Sequence, residues 1–321
     1  MSAALLLSLL GKTEDKRPRV EPKITILSTM LTEFRGIGEW GFAAVVEFEG
    51  RKLLFDTGGR PDTVIKNAKE LGVDLGDVET VILSHNHWDH TGGLTALRRK
   101  LQGDNPAAMG QAHVGKGMFL PRKLDESALA KLPPMPREFV VDVQDVQKGF
   151  RQLGGRFRVH DIPHELYPGV WITGPIPRIH PERNWSAFMS IERSGELTED
   201  TIPEDQALVI ETPKGLVVVA GCGHAGIVNT LEYALKITEK KNVYAIVGGF
   251  HLMSATEAHL RWTGEKLREF GVEHILGAHC TGINAVQQLR SAGNYDRQTA
   301  VVGAVGSVLT LNGIKRGMLN R

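Results

Sequence analysis

The stretch Ser84–Leu94 reads SHNHWDHTGGL and contains three histidines and one aspartate within six consecutive residues. It follows the apolar run Val81–Leu83, which is typical of a buried strand. The pair Gly92-Gly93 indicates a tight turn into the next element. A polar cluster directly after a buried strand predicts a site at the carboxyl end of that strand.

The donor atoms of this cluster are suited to metal ions. His85 and His87 alternate, so both side chains can point the same way as the chain leaves the strand. Asp89 and His90 come after the turn and face a second point nearby. Because imidazole and carboxylate are common zinc ligands, the spacing predicts two adjacent metal ions. Solvated or hydrogen-bonded loop histidines are the alternative, and four donors in six positions disfavour it.

Composition limits the classes of partner. The 321 residues suit one large or two small domains, and 38 lysines and arginines nearly balance 37 aspartates and glutamates. This balance gives no basic surface for nucleic acid, so a small-molecule substrate is expected and nucleic acid is not. The only cysteines, Cys222 and Cys280, are too few for a disulfide framework. Each lies near a histidine, which indicates metal chemistry or a reducing compartment.

We predict an N-terminal extension over residues 1–22, followed by a single domain over residues 23–321. Its apolar segment Met1–Leu10 is shorter than the about 20 residues that a membrane span needs. A degenerate or truncated export signal and a helix that covers a partner surface are the two alternatives. We expect a cytoplasmic protein without a membrane span, and a homo-oligomer stays open.

Strand and helix patterns alternate through most of the chain, which predicts an α/β fold with mixed sheets. Residues 105–203 are less regular and rich in proline and charge. We interpret that span as an insertion that caps the site, because long irregular segments often form lids.

Four predicted strands are each followed, within a few residues, by a histidine. These histidines are His85, His224, His251 and His279. Ligands of layered α/β folds bind at the carboxyl ends of strands, where loops converge. A capping or core role is the alternative for any one of them, but four in the same context favour one shared site.

On these residues the chain resembles the metallo-β-lactamase superfamily, from about Lys23 to the last helix. The signature His-X-His-X-Asp-His is matched in full at residues 85–90. The family's supporting strand-end aspartate matches Asp56, its acidic or thiol ligand matches Cys222, and its late histidine matches His279. The resemblance implies a four-layer αβ/βα sandwich of two mixed sheets flanked by helices, with metals at one edge. Motifs around Cys222, His251 and His279 look like the subgroup of dihydropterin ribofuranosylaminobenzene phosphate synthase-like proteins.

The chain departs from the family at one expected ligand. A histidine is common just before the strand at Ala207–Ile210, whereas this chain has Ile202–Gln206, read IPEDQ. We expect His224 to take its place. The weaker candidates are Asp205, Glu204 and His180.

The resemblance and the strand-end histidines together lead to a working hypothesis for the site roles. One ion would be held by His85, His87 and His224, and the other by Asp89, His90 and His279, with Cys222 as an added or shared ligand. Asp89 would also orient water, Asp56 would support the ligands, and His251 would bind substrate or protonate a leaving group. For Cys222, a nucleophile with His224 as its base is the alternative. Cys280 is expected to be a buried structural residue.

The segment Trp171–Trp185 carries Arg178, His180, Arg183 and Asn184 among prolines. Its composition fits a rim that binds an anionic or aromatic ligand. A charged surface loop is the alternative for each residue.

Together these features predict a binuclear metal-dependent hydrolase that uses a metal-bound hydroxide on a small ester, lactone, amide or phosphoester. One alternative is a pterin-synthase-like transferase that acts on a phosphoribosyl donor. A non-catalytic, metal-bound ligand sensor is the other. Zinc is the expected metal for mixed imidazole, carboxylate and thiolate donors, with iron and manganese as options.

Overall fold

The computed structural model describes residues 21–124, 142–185 and 189–315. The helices within these residues are α1 (Thr63–Leu71), α2 (Trp88–Thr91), α3 (Leu94–Leu101), α4 (Val143–Gln152), α5 (Ile227–Thr238), α6 (Glu257–Glu269) and α7 (Ile283–Gly293). The strands are β1 (Lys23–Ser28), β2 (Ala43–Phe48), β3 (Arg51–Phe55), β4 (Thr80–Ile82), β5 (Gln111–Gly115), β6 (Arg122–Leu124), β7 (Arg156–His160), β8 (His164–Tyr167), β9 (Val170–Ile172), β10 (Met189–Arg193), β11 (Glu196–Glu199), β12 (Leu208–Thr212), β13 (Gly215–Ala220), β14 (Val243–Gly248), β15 (His274–Gly277), β16 (Ala300–Val302), β17 (Val308–Thr310) and β18 (Gly313–Lys315).

The strands form two large sheets and one small sheet. The first large sheet has the order β18-β17-β1-β2-β3-β4-β5-β7, and the second has the order β16-β15-β14-β13-β12-β9-β8. Both are mixed: β3, β4, β5 and β7 run parallel, as do β13, β14, β15 and β16, and the remaining pairs are antiparallel. The small sheet is β11-β10-β6.

Three apolar layers hold the two large sheets and their helices together. Successive side chains of a strand point to opposite faces, so Phe55 packs between the sheets while its neighbour Leu54 packs under the helices. Leu54 shares its layer with Val64 of α1 and Phe150 of α4. On the far side, α5, α6 and α7 cover the second sheet. This arrangement confirms the predicted α/β, four-layer αβ/βα sandwich.

The direction of the parallel strands creates the site. β3 and β4 end side by side in the first sheet, and β13, β14 and β15 end side by side in the second. Each of these five strands is followed by a residue that the sequence predicts for the site. Because the sheets pack face to face, the five loops meet at one edge of the sandwich.

The described parts of residues 105–203 are more regular than the sequence pattern predicts, while their role as an insertion that caps the site stays a prediction. β5 and β7 extend the first sheet, β8 and β9 extend the second, and α4 packs on the first sheet. Among the described strands of this span, those of the small sheet lie outside both large sheets. The division into residues 1–22 and residues 23–321 stays a prediction, because residues 1–20 lie outside the described residues.

The helix α4 is not among the elements predicted from the sequence, although its residues carry a helix signal. Val143, Val146 and Phe150 recur at helical spacing and are buried, and Asp142 accepts a hydrogen bond from the Gln144 backbone N–H at 2.7 Å. Within the described residues, every helix is too short or too polar to cross a membrane.

Candidate metal centre

The histidine stretch turns from β4 into the short helix α2. His87 is extended, with φ −66° and ψ 145°, and precedes the helix, while Asp89 and His90 lie within it. His85 and His90 are fully buried. The turn therefore divides the four donors into two directions, as their spacing predicts.

The first group of donors is His85, His87 and His224, whose ligand atoms lie within 4.8 Å of one another. The Ser84 hydroxyl donates to Asp56 Oδ2 at 2.7 Å and therefore accepts from His85 Nδ1 at 2.8 Å. His224 Nδ1 donates to the Asn184 carbonyl. The Nε2 atoms of His85 and His224 are buried without a hydrogen-bond partner in the described structure. Two lone pairs left in this way fit a metal ion.

The weaker candidates for the third ligand are used elsewhere. Asp205 accepts from the Ala225 backbone N–H at 2.7 Å, and His180 Nε2 lies 2.5 Å from Glu232. Glu204 accepts from the Asn86 backbone N–H at 3.2 Å, which braces the histidine loop. The chain segment without the family histidine thus supports the site through its hydrogen bonds.

The second group is Asp89, His90 and His279, whose ligand atoms also lie within 4.8 Å of one another. Asp89 Oδ2 lies 3.2 Å from His279 Nε2 and 3.8 Å from His90 Nε2. Both ring nitrogens of His279 are buried without a hydrogen-bond partner among the described residues. The fit to a second ion is therefore of the same kind as in the first group.

Cys222 lies between the two groups. Its Sγ is 3.1 Å from His90 Nε2, and its ligand atom also groups with those of His224 and His251. A thiolate in this position lies close to both groups, and its role as an added or shared ligand stays a prediction. Cys280 Sγ lies 3.2 Å from Cys222 Sγ, a proximity that the sequence analysis did not predict.

Asp56 supports both groups from behind. Its fully buried carboxylate accepts from the Ser84 backbone N–H, the Ser84 hydroxyl and His90 Nδ1, each at 2.7 Å. A Cβ on Gly221 would collide with this same Ser84–Asp56 pair, so only glycine fits there.

Three of the site residues have left-handed backbone angles. The φ values are 55° at Asp56, 50° at His251 and 49° at His279. Such angles are unfavourable for residues other than glycine and concentrate at functional sites. They direct these side chains from the strand ends into the shared edge.

Burial and neighbouring charges shift the pKa values of the buried histidines. Burial lowers the pKa of His85 and His224 well below the ordinary range and lowers the pKa of His87 to about 4. For His90, burial opposes the charge, but the Asp89 and Asp56 carboxylates outweigh it and raise its pKa to about 9. The first group therefore offers neutral imidazoles, whereas His90 carries a proton in the metal-free protein.

This proton predicts how metal affinity depends on pH. Binding needs a neutral His90 and a Cys222 thiolate, and burial raises the pKa of the Cys222 thiol. Both groups release protons on binding, so we expect Zn²⁺ affinity to rise about tenfold or more per pH unit between pH 7 and 9. Competition with a chelator of known pH dependence measures this. A flat profile would contradict the assignment.

His251 and Trp40 border the centre. The half-buried His251 ring lies 4.7 Å from the His224 ring, and its Nδ1 has no hydrogen-bond partner in the described part of the chain. The Trp40 ring, 41% exposed, meets the His279 ring edge-on at 5.0 Å. No local motif indicates Trp40, because its contact joins distant parts of the chain.

The rim arginines are engaged within the protein. Arg178 donates to the Thr201 and Ile202 carbonyls, and Arg183 pairs with Glu199. Both guanidinium groups lie over the Trp185 ring. These contacts favour the surface-loop interpretation over an open anion-binding rim.

A cavity of about 420 Å³ opens beside His87. Its walls include Trp88, Leu120, Val143 and Met189. A groove of about 580 Å³ lies between α6 and α7, but it contacts none of the predicted site residues. Of these two, the cavity beside His87 therefore borders the first group of donors.

Comparisons with known proteins agree with this geometry. A profile of the metallo-beta-lactamase superfamily matches residues 41–179. The chain is 29% identical over 252 residues to a 7,8-dihydropterin-6-methyl-4-(beta-D-ribofuranosyl)-aminobenzene-5'-phosphate synthase of Methanocaldococcus jannaschii, covering 76% of this chain and 82% of the relative. It is 26% identical over 289 residues to the uncharacterized protein MJ0448 of the same organism, covering 89% and 98%.

The chain is also similar to solved structures of the metallo-beta-lactamase fold. Tm1679, described as a metal-dependent hydrolase of the beta-lactamase superfamily, has a TM-score of 0.66 and 26% identity, covering 90% of this chain and 98% of that one. The metallo-beta-lactamase fold protein YhfI of Bacillus subtilis shares the fold, with a TM-score of 0.52 and 15% identity, covering 91% and 100%. The resemblance inferred from the sequence motifs is confirmed: residues 41–179 match the metallo-beta-lactamase superfamily profile, and the chain is similar over most of its length to the relatives and structures named above.

Proposed function

We propose that this protein is a metal-dependent hydrolase with two divalent ions that acts on a small ester, lactone, amide or phosphoester. The observation that carries the proposal is the pair of donor groups, each with buried imidazole nitrogens that have no other partner among the described residues. Zinc fits the mixed donors, with iron and manganese as options.

The chain's own residues divide the work. His85, His87 and His224 would hold one ion, and Asp89, His90 and His279 the other, with Cys222 between them. Two such ions lower the pKa of a water molecule and polarise a carbonyl or phosphoryl oxygen. Asp56 and Ser84 keep the imidazoles oriented through their hydrogen bonds. Asp89, in contact with two imidazoles, is placed to orient the attacking water.

His251 is suited to protonate the leaving group. Burial opposes its protonation, but hydrogen bonding to Cys280 and the charges of Cys280, Asp89 and Asp205 outweigh burial and raise its pKa. A protonated imidazole at neutral pH can give a proton to an alkoxide or amine. Its half-buried position beside His224 leaves it within reach of a substrate.

The cavity beside His87 favours an uncharged substrate group. Arg122, which also lines it, donates to Asp200 at 2.5 Å and to Glu204 at 2.6 Å. Its guanidinium is thus engaged by two buried carboxylates rather than free for a phosphate.

A charge introduced into this cavity should change substrate preference. We expect Met189→Arg to lower kcat/KM for a neutral ester about 10-fold or more, since a longer, charged side chain would replace an apolar contact, and even one methylene of contact in an apolar pocket is worth that much. Hydrolysis of an anionic phosphoester should suffer less. Leu197→Arg is the matched control, because Leu197 lies on β11 of the same small sheet and is 53% exposed. Equal losses for both substrates would remove the cavity from the account.

The transferase is the second candidate, supported by the similarity to the Methanocaldococcus jannaschii synthase. It would require a phosphoribosyl donor and an aromatic acceptor together. The engagement of Arg122 by two carboxylates favours the hydrolase instead.

A substrate screen separates the two functions. Zinc-loaded protein is assayed with neutral esters, lactones and phosphodiesters, and separately with a phosphoribosyl donor plus an aminobenzoate-type acceptor. We expect hydrolysis of a single substrate class without an acceptor. Product formation only when donor and acceptor are both present would support the transferase. Tight ligand binding with no turnover in either assay would support the sensor.

A further inference from the structure

The two cysteines of the chain lie in contact although 58 residues separate them. Cys222 follows β13 and Cys280 follows β15, and both strands flank β14 with parallel register. Both side chains are buried, at 2% and 1% exposure. The fold therefore brings both thiols of this protein to the metal edge.

The distance between the sulfurs decides among their roles. A disulfide has an S–S bond of about 2.05 Å, whereas two thiolates on one tetrahedral zinc lie about 3.8 Å apart, given Zn–S bonds of about 2.3 Å. The Sγ atoms are 3.2 Å apart, and both cysteines are free. This separation is closer to that of shared ligands than to a covalent bond.

A third donor completes the set. The ligand atoms of Cys222, Cys280 and His279 lie within 4.8 Å of one another, and both ring nitrogens of His279 have no hydrogen-bond partner within the described residues. Cys280 Sγ also lies 3.8 Å from the Cys222 carbonyl and hydrogen-bonds with the His251 side chain. The thiol therefore lies among donor groups rather than in purely apolar surroundings.

We propose that Cys280 is a second thiolate ligand. Cys222 and Cys280 would then bind the ion that His279 binds, which is the ion of the second group. This role goes beyond the expectation that Cys280 is only structural. It rests on the metal centre of the proposed function but not on the reaction. Soft thiolate donors select zinc over manganese, so the pair biases the second position toward zinc.

Cobalt spectroscopy of the full-length protein tests this directly. Co²⁺ replaces zinc, and a thiolate ligand produces a sulfur-to-cobalt charge-transfer band in the near ultraviolet. Because the chain has 2 cysteines, any such band comes from Cys222 or Cys280. We expect Cys280→Ser to lower the band to about half of its wild-type intensity, in proportion to the thiolates left.

The reciprocal variant keeps the test decisive if Cys280→Ser folds poorly. In Cys222→Ser, Cys280 is the sole thiol, so a remaining band must arise from it. A band that disappears in Cys222→Ser while cobalt stays bound would overturn the proposal, as would an unchanged band in Cys280→Ser. Thr263→Val is the control for a buried substitution, because the Thr263 hydroxyl on α6 has no hydrogen-bond partner in the described residues.

The choice of metal gives a second readout. With equal Zn²⁺ and Mn²⁺ competing for metal-free protein, Cys280→Ser should reduce the preference for zinc about 10-fold or more. An unchanged preference would contradict the thiolate role. Neither the cobalt band nor the metal preference depends on turnover. A failed substrate screen would therefore leave the thiolate role of Cys280 untouched, and failure of the thiolate role would leave the proposed hydrolase function untouched.

Discussion

Replacement of His87 by alanine should reduce hydrolysis by more than the roughly 100-fold that loss of a supporting partner costs. The variant removes one donor of the first group, while His85 and His224 keep their hydrogen bonds to Ser84 and Asn184. His87 is half-buried, so truncation should cost little folding stability. The bound metal per chain and kcat/KM are measured together.

The control for this variant is His259→Ala on α6. His259 contacts Trp262, away from both donor groups, and should leave metal content and kcat/KM unchanged. Full activity in His87→Ala would remove His87 from the catalytic account.

Asp56→Ala should destabilise the metal-free protein by about 3–5 kcal/mol, the usual cost of removing one partner of a buried charge pair. The change leaves the protonated His90 and two Ser84 donors without their shared acceptor. Urea unfolding measures the free energy, and zinc affinity should fall about 10–100-fold in the same variant.

Asp104→Ala is the matched control, since Asp104 is exposed and its loss should change stability by at most about 0.5 kcal/mol. If Asp56→Ala unfolded at the same urea concentration as the wild type, the carboxylate would not hold the site together.

The sequence reveals the strand-end histidines because their signal is local. An apolar run followed within a few residues by a histidine can be recognised without knowing which strands are neighbours. His85, His224, His251 and His279 follow this rule, and the parallel register of β13, β14 and β15 brings the last three to one edge. The sandwich fold is predictable because the same motifs carry the resemblance to the superfamily, which implies it.

Contacts set by long-range register are not predictable in this way. The Cys222–Cys280 contact depends on two strands separated by β14, and the Arg122 pair with Glu204 joins segments 82 residues apart. Trp40 reaches His279 only after both sheets pack. None of these contacts has a spacing signal within its own segment.

The strands within residues 105–203 give a weak sequence signal because they are short and lie toward the sheet edges. β7 reads RFRVH and is half-exposed, so the continuous apolar run of a central strand is absent. The alternation of polar and apolar residues still indicates a strand, with one face toward solvent.

Zinc titration of chelator-treated, full-length protein tests the central claim most directly. Native mass spectrometry counts the ions bound per chain while hydrolysis of the best substrate from the screen is followed in parallel. The two donor groups predict no activity without metal, two zinc ions at saturation and activity that appears as they bind. Full activity of the metal-free protein, or saturation at a single ion, would contradict the account.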